Sequence, residues 1–394
     1  MLEGKDRKPR LLCMAHLPPP VNGVTVMGEQ VVNSPLLNAR FELATLPLKS
    51  AATIADIGNL RPAKALRVVA MAVQLVQHCL TNRPDLIYFT LTPNGAAFYR
   101  DLLYVGIMKL FGVRRVYHLH GKGVAQATEG TVARVLFCWA FRGAAVIILS
   151  PRLYKDCAQV VRREQCHFLA NGIPDPWRSG TSGPRRETDD VPRILYFSNL
   201  VVNKGLFVLL EALVLLRERG LAFRAAFAGA WESAAVEGAF HRFVQENGLL
   251  DVVELCGPRY GDDKRRTYAT ADIMAFPTYN DAYPLVVLEA MSHGLPVVST
   301  YEGAIPDIVA EGESGFLVPR QDPRALAGRL ALLLTDSALR MRMGSAGRAR
   351  YRAYFTSDVF AANLLAILET CQADAATHLP KGRTATRKEF PVVS

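Results

Sequence analysis

The stretch NDAYPLVVLEAMSHGLPVVS, from Asn280 to Ser299, keeps two carboxylates, Asp281 and Glu289, in a run that is otherwise almost entirely apolar. Pro284 suits the first turn of a helix, where no amide hydrogen is needed. Gly294 suits a C-terminal stop. The spacing therefore predicts a helix from Pro284 to His293, set between the strand candidates ADIMAFPT and LPVVST. The first amides of such a helix, near Leu285 and Val286, point back toward the strand ends and suit a phosphate. Asp281 lies just before the helix, and Glu289 lies one turn above Leu285 on the same side. A ligand with phosphates at the helix start would reach both acids. Glu289 suits vicinal hydroxyls such as those of a ribose, and Asp281 suits hydroxyls of a group beyond the phosphates. Taken alone, Asp281 reads equally well as an N-terminal cap and Glu289 as a helix-surface charge.

Outward from this stretch, short apolar β-rich runs alternate with longer helical patterns. The first half offers RLLCMA, FELATLPL, DLIYFTL, RRVYHLH, AAVIILS and CHFLANGI as strands, with helices near 24–33, 62–80, 96–111, 127–142 and 151–163. A segment rich in Pro, Gly, Ser and charge, PDPWRSGTSGPRRETDDVPR (Pro174 to Arg193), interrupts the alternation and reads as a linker. Afterwards it restarts with RILYFSNL, FRAAFAGA, VVELCG, ADIMAFPT, LPVVST and GFLVP, and helices near 204–219, 231–247, 262–270, 284–293, 322–335 and 337–353. Continuous apolar strands alternating with helices imply parallel sheets covered on both faces, the doubly wound α/β architecture. The expected domains are 1–178, a linker at 179–192, 193–355, a helix at 356–373 packing back on the first domain, and a basic, poorly ordered tail at 374–394. Two such domains facing one another would enclose a cleft.

The 394 residues suffice for two domains, and a half-hydrophobic composition with 21% charged residues excludes global disorder. The net charge of +10 is confined to one half. Up to Arg178 there are 22 Lys and Arg against 11 Asp and Glu, and beyond it 24 against 25. A basic half suits nucleic acid, anionic headgroups or an anionic substrate, or serves only as a solvated surface. Seven scattered cysteines without a C-x-x-C pair argue against a disulfide framework or zinc knuckle and fit a reducing cytoplasm. The start, MLEGKDRKPRLLCMAHLPPP, reads as a first strand rather than a signal peptide. No run of 18 uncharged apolar residues predicts a spanning helix. Two strongly apolar segments with basic edges, 62–80 and 99–115, read either as helices packed on a sheet or as a surface lying against a membrane. The first strand–helix turn, PPPVNGV, lacks G-x-G-x-x-G, which argues against a dinucleotide-dependent dehydrogenase. Basic residues spread without a recognisable module argue against a nucleic-acid binder.

An acid, seven residues, a second acid and then EAM with a Gly-x-Pro-Val-Val ending resembles the retaining glycosyltransferases of family 4, which have the GT-B fold. Further stretches match in order: HLPPPVNGVTVMGEQVV, VYHLHG, LANGIPD, KGLFVLLEAL, ADIMAFPT and EGAIPDIVAEGESGFLVP. The resemblance covers roughly residues 10–370. It implies transfer of a hexose-type sugar, with retention, from a nucleotide-diphosphate donor (a UDP- or GDP-sugar) to a saccharide or lipid-linked saccharide in cell-surface glycan assembly. It also implies a cytoplasmic protein, peripheral on the inner face of the membrane, that requires no metal or other cofactor and binds no nucleic acid.

Residue by residue, the resemblance places Glu289 on the donor ribose, Asp281 on the transferred sugar, and Lys204 with the amides of Leu285 and Val286 on the diphosphate. Gly257, Arg259 and Tyr260 would lie near the base, and Thr278 near the donor. Asn22 and Gly23 would approach the phosphates or acceptor. His120 would face the sugar; His118, two residues earlier, is expected to point the opposite way, and His16 follows the first strand. Asp281, Lys204 and His120 form the expected catalytic set, and fixed positive charge would stabilise the departing diphosphate. There are two departures from the family pattern. The first acid is most often Glu, so Asp281 draws its carboxylate back by about 1.5 Å. Asn199 stands where an Arg is common, which removes a bidentate phosphate contact. The alternatives are a GT-B nucleotide-sugar epimerase or hydrolase, and a non-catalytic nucleotide-sugar-binding protein.

Overall fold

The computed structural model describes residues 7–48, 62–177 and 191–373. Among them are two compact α/β units. Unit 1 holds the described residues up to Asn171 together with the helix Ser357–Ala373, and unit 2 holds those from Gly172 to Thr356. The expected linker at 179–192 and the tail at 374–394 lie wholly or largely outside the described residues.

Unit 1 is built on strands β1 (Arg10–Met14), β2 (Glu42–Thr45), β3 (Leu86–Phe89), β4 (Arg114–Leu119), β5 (Ala145–Ile148) and β6 (Cys166–Phe168). They pair in parallel in the order β2-β1-β3-β4-β5-β6. Every residue of β3 is buried, as expected of a strand covered on both faces. Right-handed crossovers then put the helix Gly23–Val32 on one face and the helices Pro62–Thr81, Gly95–Leu110 and Thr131–Phe141 on the other. The first face is closed by Ser357–Ala373, which packs on Gly23–Val32 and on the short helix Pro35–Arg40. An Arg40–Glu369 ion pair at 2.6 Å ties the chain's last described helix to this face.

Unit 2 uses β7 (Arg193–Phe197), β8 (Arg224–Ala228), β9 (Val253–Gly257), β10 (Ile273–Phe276), β11 (Val297–Thr300) and β12 (Gly315–Val318), all parallel, in the order β12-β11-β10-β7-β8-β9. The winding direction reverses between β7 and β10, and ligands of open α/β sheets bind at the carboxyl ends flanking such a point. Two glycines hold the loops there. Gly205 sits at φ +81°, and a Cβ on it would lie 2.1 Å from the Pro277 carbonyl oxygen at the end of β10. Gly229, at φ +156°, passes equally close to the Ser198 carbonyl beyond β7.

Three sequence expectations are corrected. The helix expected over 151–163 is instead a 3₁₀ turn, Pro151–Leu153, and a single helical turn, Tyr154–Cys157. Its Asp156 carboxylate is drawn away to accept the amides of Gly123, Val124 and Ala125 at 2.8–3.3 Å, a tertiary demand that outweighs helix propensity. The strand in CHFLANGI covers only Cys166–Phe168. The chain then passes to unit 2 at Gly172, ahead of the expected boundary at 178, because the Ile173 amide bonds to the Phe355 carbonyl (2.9 Å) and its own carbonyl accepts the Tyr351 hydroxyl (2.9 Å). No disulfide joins any of the seven cysteines, all of which lie among the described residues. No helix among the described residues is long and apolar enough to cross a membrane.

Gly205→Ala should cost about 1–3 kcal/mol for the left-handed backbone, and more for the contact with Pro277. Gly220→Ala, at φ +70° with nothing within 4 Å, bears the backbone cost alone. Differential scanning calorimetry should show the larger drop in Tm for Gly205→Ala; equal drops would mean the approach to Pro277 carries no weight.

Candidate active site

In unit 2 the two loops at the reversal point are knitted together. The chain leaving β7 forms a 3₁₀ turn, Val202–Lys204, before the helix Leu206–Glu218. The Asn203 carbonyl accepts the Tyr279 amide (3.1 Å) and the Thr278 hydroxyl (3.3 Å) from the loop after β10. Thr278 is fully buried, and its carbonyl is held by the Thr300 hydroxyl at 2.5 Å. Across this seam Lys204 Nζ donates to the Asn280 carbonyl (2.9 Å) and pairs with Asp281 Oδ2 (2.6 Å). The two side chains are 25% and 18% exposed, so the pair is screened from bulk water yet reachable.

Asp281 does not cap the following helix. Its Oδ1 accepts the Tyr283 amide (3.0 Å) in an Asx turn. The helix Leu285–Ser292 starts one residue later than expected, with Pro284 as N-cap at φ −74°, ψ 113° and no side-chain cap. Its first amides are therefore left for another acceptor. Gly303 packs under the loop, where a Cβ would lie 2.2 Å from the Asp281 carbonyl. Glu302 beside it is almost wholly buried; its Oε1 accepts the Asp281 amide (3.3 Å) and its Oε2 pairs with Arg320 (2.9 Å). Sequence reasoning missed Glu302, although it opens the quoted segment EGAIPDIV.

Glu289 is not a solvated helix charge either. Its carboxylate is 17% exposed, paired with Lys264 Nζ at 2.5 Å and bonded by the Tyr268 hydroxyl at 2.8 Å. Lys264 and Tyr268 stand four apart on the helix Gly261–Ala269 and so share a face. The buried Tyr268 ring is stacked between Phe197 (4.9 Å, 20°) and His293 (5.1 Å, 23°). Burial, then the adjacent Glu289 carboxylate, raises the Tyr268 hydroxyl well above the usual tyrosine range, so it stays a donor. Neither Lys264 nor Tyr268 was legible as a site residue; the only signal was their four-residue spacing. Just ahead of them, Gly257 takes φ +67°, Arg259 Nε is buried without a partner, and Tyr260 is exposed as the helix N-cap. Asn199 is exposed in the loop beyond β7.

The unit 1 residues form a separate group. Asn22 is the N-cap of Gly23–Val32: its Oδ1 accepts the Val24 and Thr25 amides at 3.0 and 3.1 Å, which commits the side chain to the helix. His118 and His120 lie on the same side, ring centroids 3.9 Å apart, against the expectation that they diverge. The reason is the two-residue period of a strand, which brings i and i+2 to one face. His118 is fully buried and shares a 2.7 Å hydrogen bond with the Tyr88 hydroxyl. Both ring nitrogens of His120 are shielded and unpartnered. Burial, then the nearby His16, holds the His120 pKa down to about 3. His16 is pushed to about 4 by burial and then Arg100, and His118 falls well below the usual range through burial and then His120. All three are neutral at pH 7. No group of three or more His, Cys, Asp or Glu suited to a metal ion occurs among the described residues.

Two doubly wound units, with ligand-facing loops at a sheet reversal, define an α/β protein of the GT-B class. HepE of Anabaena, solved with UDP and glucose, superposes with a TM-score of 0.68 at 18% identity over 92% of this chain and all of that one. A glycosyltransferase from Rickettsia africae superposes at 0.73 with 15% identity, over 93% and 99% of the two chains. Residues 182–350 match the family described as glycosyl transferases group 1. D-inositol 3-phosphate glycosyltransferase of Corynebacterium urealyticum is 34% identical over 177 residues, 41% of this chain. The matched stretch spans 42% of that relative's own length.

Protonation of a histidine held neutral by folding opposes the native state. Between about pH 6.5, the ordinary histidine value, and the lowered native values, the unfolded chain binds the protons that the folded one refuses. Stability should therefore fall as pH drops from 6.5 toward 4. His120→Asn should flatten that decline in thermal melts recorded across the range; an unchanged slope would remove His120 from the cause.

Proposed function

We propose that the protein is a retaining glycosyltransferase that moves a hexose-type sugar from a UDP- or GDP-sugar to a saccharide or lipid-linked saccharide of the cell surface. The observation that carries the reading is the Lys204–Asp281 pair at the unit 2 reversal point, next to a helix start with no side-chain cap. The match of residues 182–350 to glycosyl transferases group 1 supports donor binding in the same unit. HepE, a neighbour of the same fold, was solved with UDP, which favours a uridine donor.

In this reading Lys204 and the amides of Leu285 and Val286 hold the donor diphosphate, and Glu289 holds the ribose. Lys264 and Tyr268 fix the Glu289 carboxylate before the ligand arrives, so little ordering is left for binding. The bond from the anomeric carbon to the phosphate oxygen breaks, and negative charge grows on the leaving diphosphate where fixed positive charge already stands. The sugar passes through an oxocarbenium-like state. An acceptor hydroxyl attacks the face that the diphosphate leaves, and the departing phosphate oxygen takes its proton. Asp281 contacts the transferred sugar and keeps Lys204 aimed. Lys204 and the helix amides supply the electrophilic role, so no divalent ion is required. Unit 1 is assigned to the acceptor, and its excess of Lys and Arg suits work at the cytoplasmic face of an anionic membrane.

Thermal-shift screening against UDP-, GDP-, ADP- and dTDP-sugars should raise the Tm for one donor class, since a ligand of the folded form stabilises it. With that donor, Lys204→Ala and Glu289→Ala should each reduce transfer at least about a hundredfold, the scale of losing a preorganised charge contact. Circular dichroism should stay unchanged. Tyr268→Phe should raise the donor KM roughly tenfold by removing a bond to a charged acceptor. Chelation with EDTA should leave turnover intact. Free sugar released without acceptor would mark a hydrolase, and donor binding without transfer across an acceptor panel would mark a non-catalytic binder.

A further inference from the structure

On the face of the unit 1 sheet away from Ser357–Ala373, three helices of 20, 16 and 11 residues lie side by side: Pro62–Thr81 packs on Gly95–Leu110, which packs on Thr131–Phe141. Each turns an apolar stripe outward at helical spacing. The first shows Leu66, Val69, Val73 and Leu80, each more than half exposed. The second shows Tyr99, Leu103 and Leu110, the last 84% exposed. The third shows Val132, Val135 and Trp139. These ten are half of the twenty large apolar side chains exposed among the described residues, so the exposure is concentrated rather than scattered.

The charges on this face have one sign. The three helices contain a single carboxylate, Asp101, which is fully buried and bonded to Arg100 (2.7 Å) and to the Thr92 amide (3.0 Å). Of their basic residues, Arg67 and Arg134 are exposed, and so is Arg142 at the end of the third helix. Lys109 Nζ lies 4.8 Å from the Trp139 ring centroid and holds the Trp139 and Arg142 carbonyls at 2.5 and 3.1 Å, which orients the indole. Apolar stripes bordered by bases, with no exposed acid on the three helices themselves and an indole at the edge, match the chemistry of a water–lipid interface; the exposed acid next to them in sequence is Glu129, ahead of the third helix. A second copy fits poorly. A twofold contact sets a patch against itself, and here arginine would oppose arginine with no carboxylate between.

We propose that this three-helix face docks on the surface of an anionic phospholipid bilayer, its apolar stripes entering the headgroup–acyl boundary and its arginines meeting phosphates. The inference rests on the membrane-facing acceptor reading given above and supplies the surface for it.

The full chain should co-sediment with vesicles of mixed phosphatidylglycerol and phosphatidylcholine, and about tenfold less with phosphatidylcholine alone or in high salt, where surface charge is screened. Val73→Glu combined with Val135→Glu should lose most of that binding. Leu250→Glu combined with Leu332→Glu, the same charge change at exposed unit 2 positions, should keep it. Donor-induced thermal shifts should persist in both variants, so loss of vesicle binding with donor binding intact separates this face from the sugar-nucleotide site. The inference is overturned by no vesicle binding in the wild type or by equal binding in both double variants. It is also overturned by a wild-type dimer in sedimentation velocity that the face variant abolishes, or by capture of polyglutamate in place of vesicles, which would point to an acidic protein surface.

Discussion

The Lys204–Asp281 ion pair closes the seam between the two loops at the reversal point of the unit 2 sheet, and the candidate site depends on it. Its value is positional. A partly exposed pair adds little to stability, and desolvation offsets much of the attraction. What it does is bring a cation from the β7 side onto the loop that precedes Leu285–Ser292, where backbone amides already lean positive. Asn203, Thr278 and Thr300 lock the same seam through backbone carbonyls, and Gly205 and Gly303 permit approaches that any Cβ would block. Glu302, buried and paired with the exposed Arg320, holds the Asp281 amide. This support compensates for the shorter side chain of Asp281: the whole loop is fixed, so its carboxylate has one place to be.

Glu289 is organised by a different device. Its two partners come from one face of the helix Gly261–Ala269, and the ring of Tyr268 is wedged between Phe197 and His293. The Phe197 ring belongs to β7 and His293 ends the helix that carries Glu289 itself, so strand, helix and helix stop converge on one carboxylate. A charged acceptor with two strong donors is held in one orientation.

Unit 1 works with the opposite electrostatics. Its sheet carries three histidines kept neutral by burial and then by Arg100 (His16) or a neighbouring histidine (His118 and His120), while its outer helices carry positive charge and no exposed acid.

The sequence by itself determined the class of fold, because strand–helix alternation and continuous apolar strands leave parallel doubly wound sheets as the economical solution. It also determined the helix after Asp281, through Pro284 and Gly294, and singled out Asp281 and Glu289, while Lys204 came with the family resemblance. These signals are local: each lies within one turn or one strand. Only the tertiary structure decided which residues hold those three. Lys264 and Tyr268 reach Glu289 from a helix some twenty residues earlier, and Glu302 reaches Asp281 from twenty residues later, so no spacing rule links them. It likewise broke the expected helix at 151–163 by spending Asp156 on a distant turn. Periodicity is a property of the chain with itself, and these are contacts made only after chain closure.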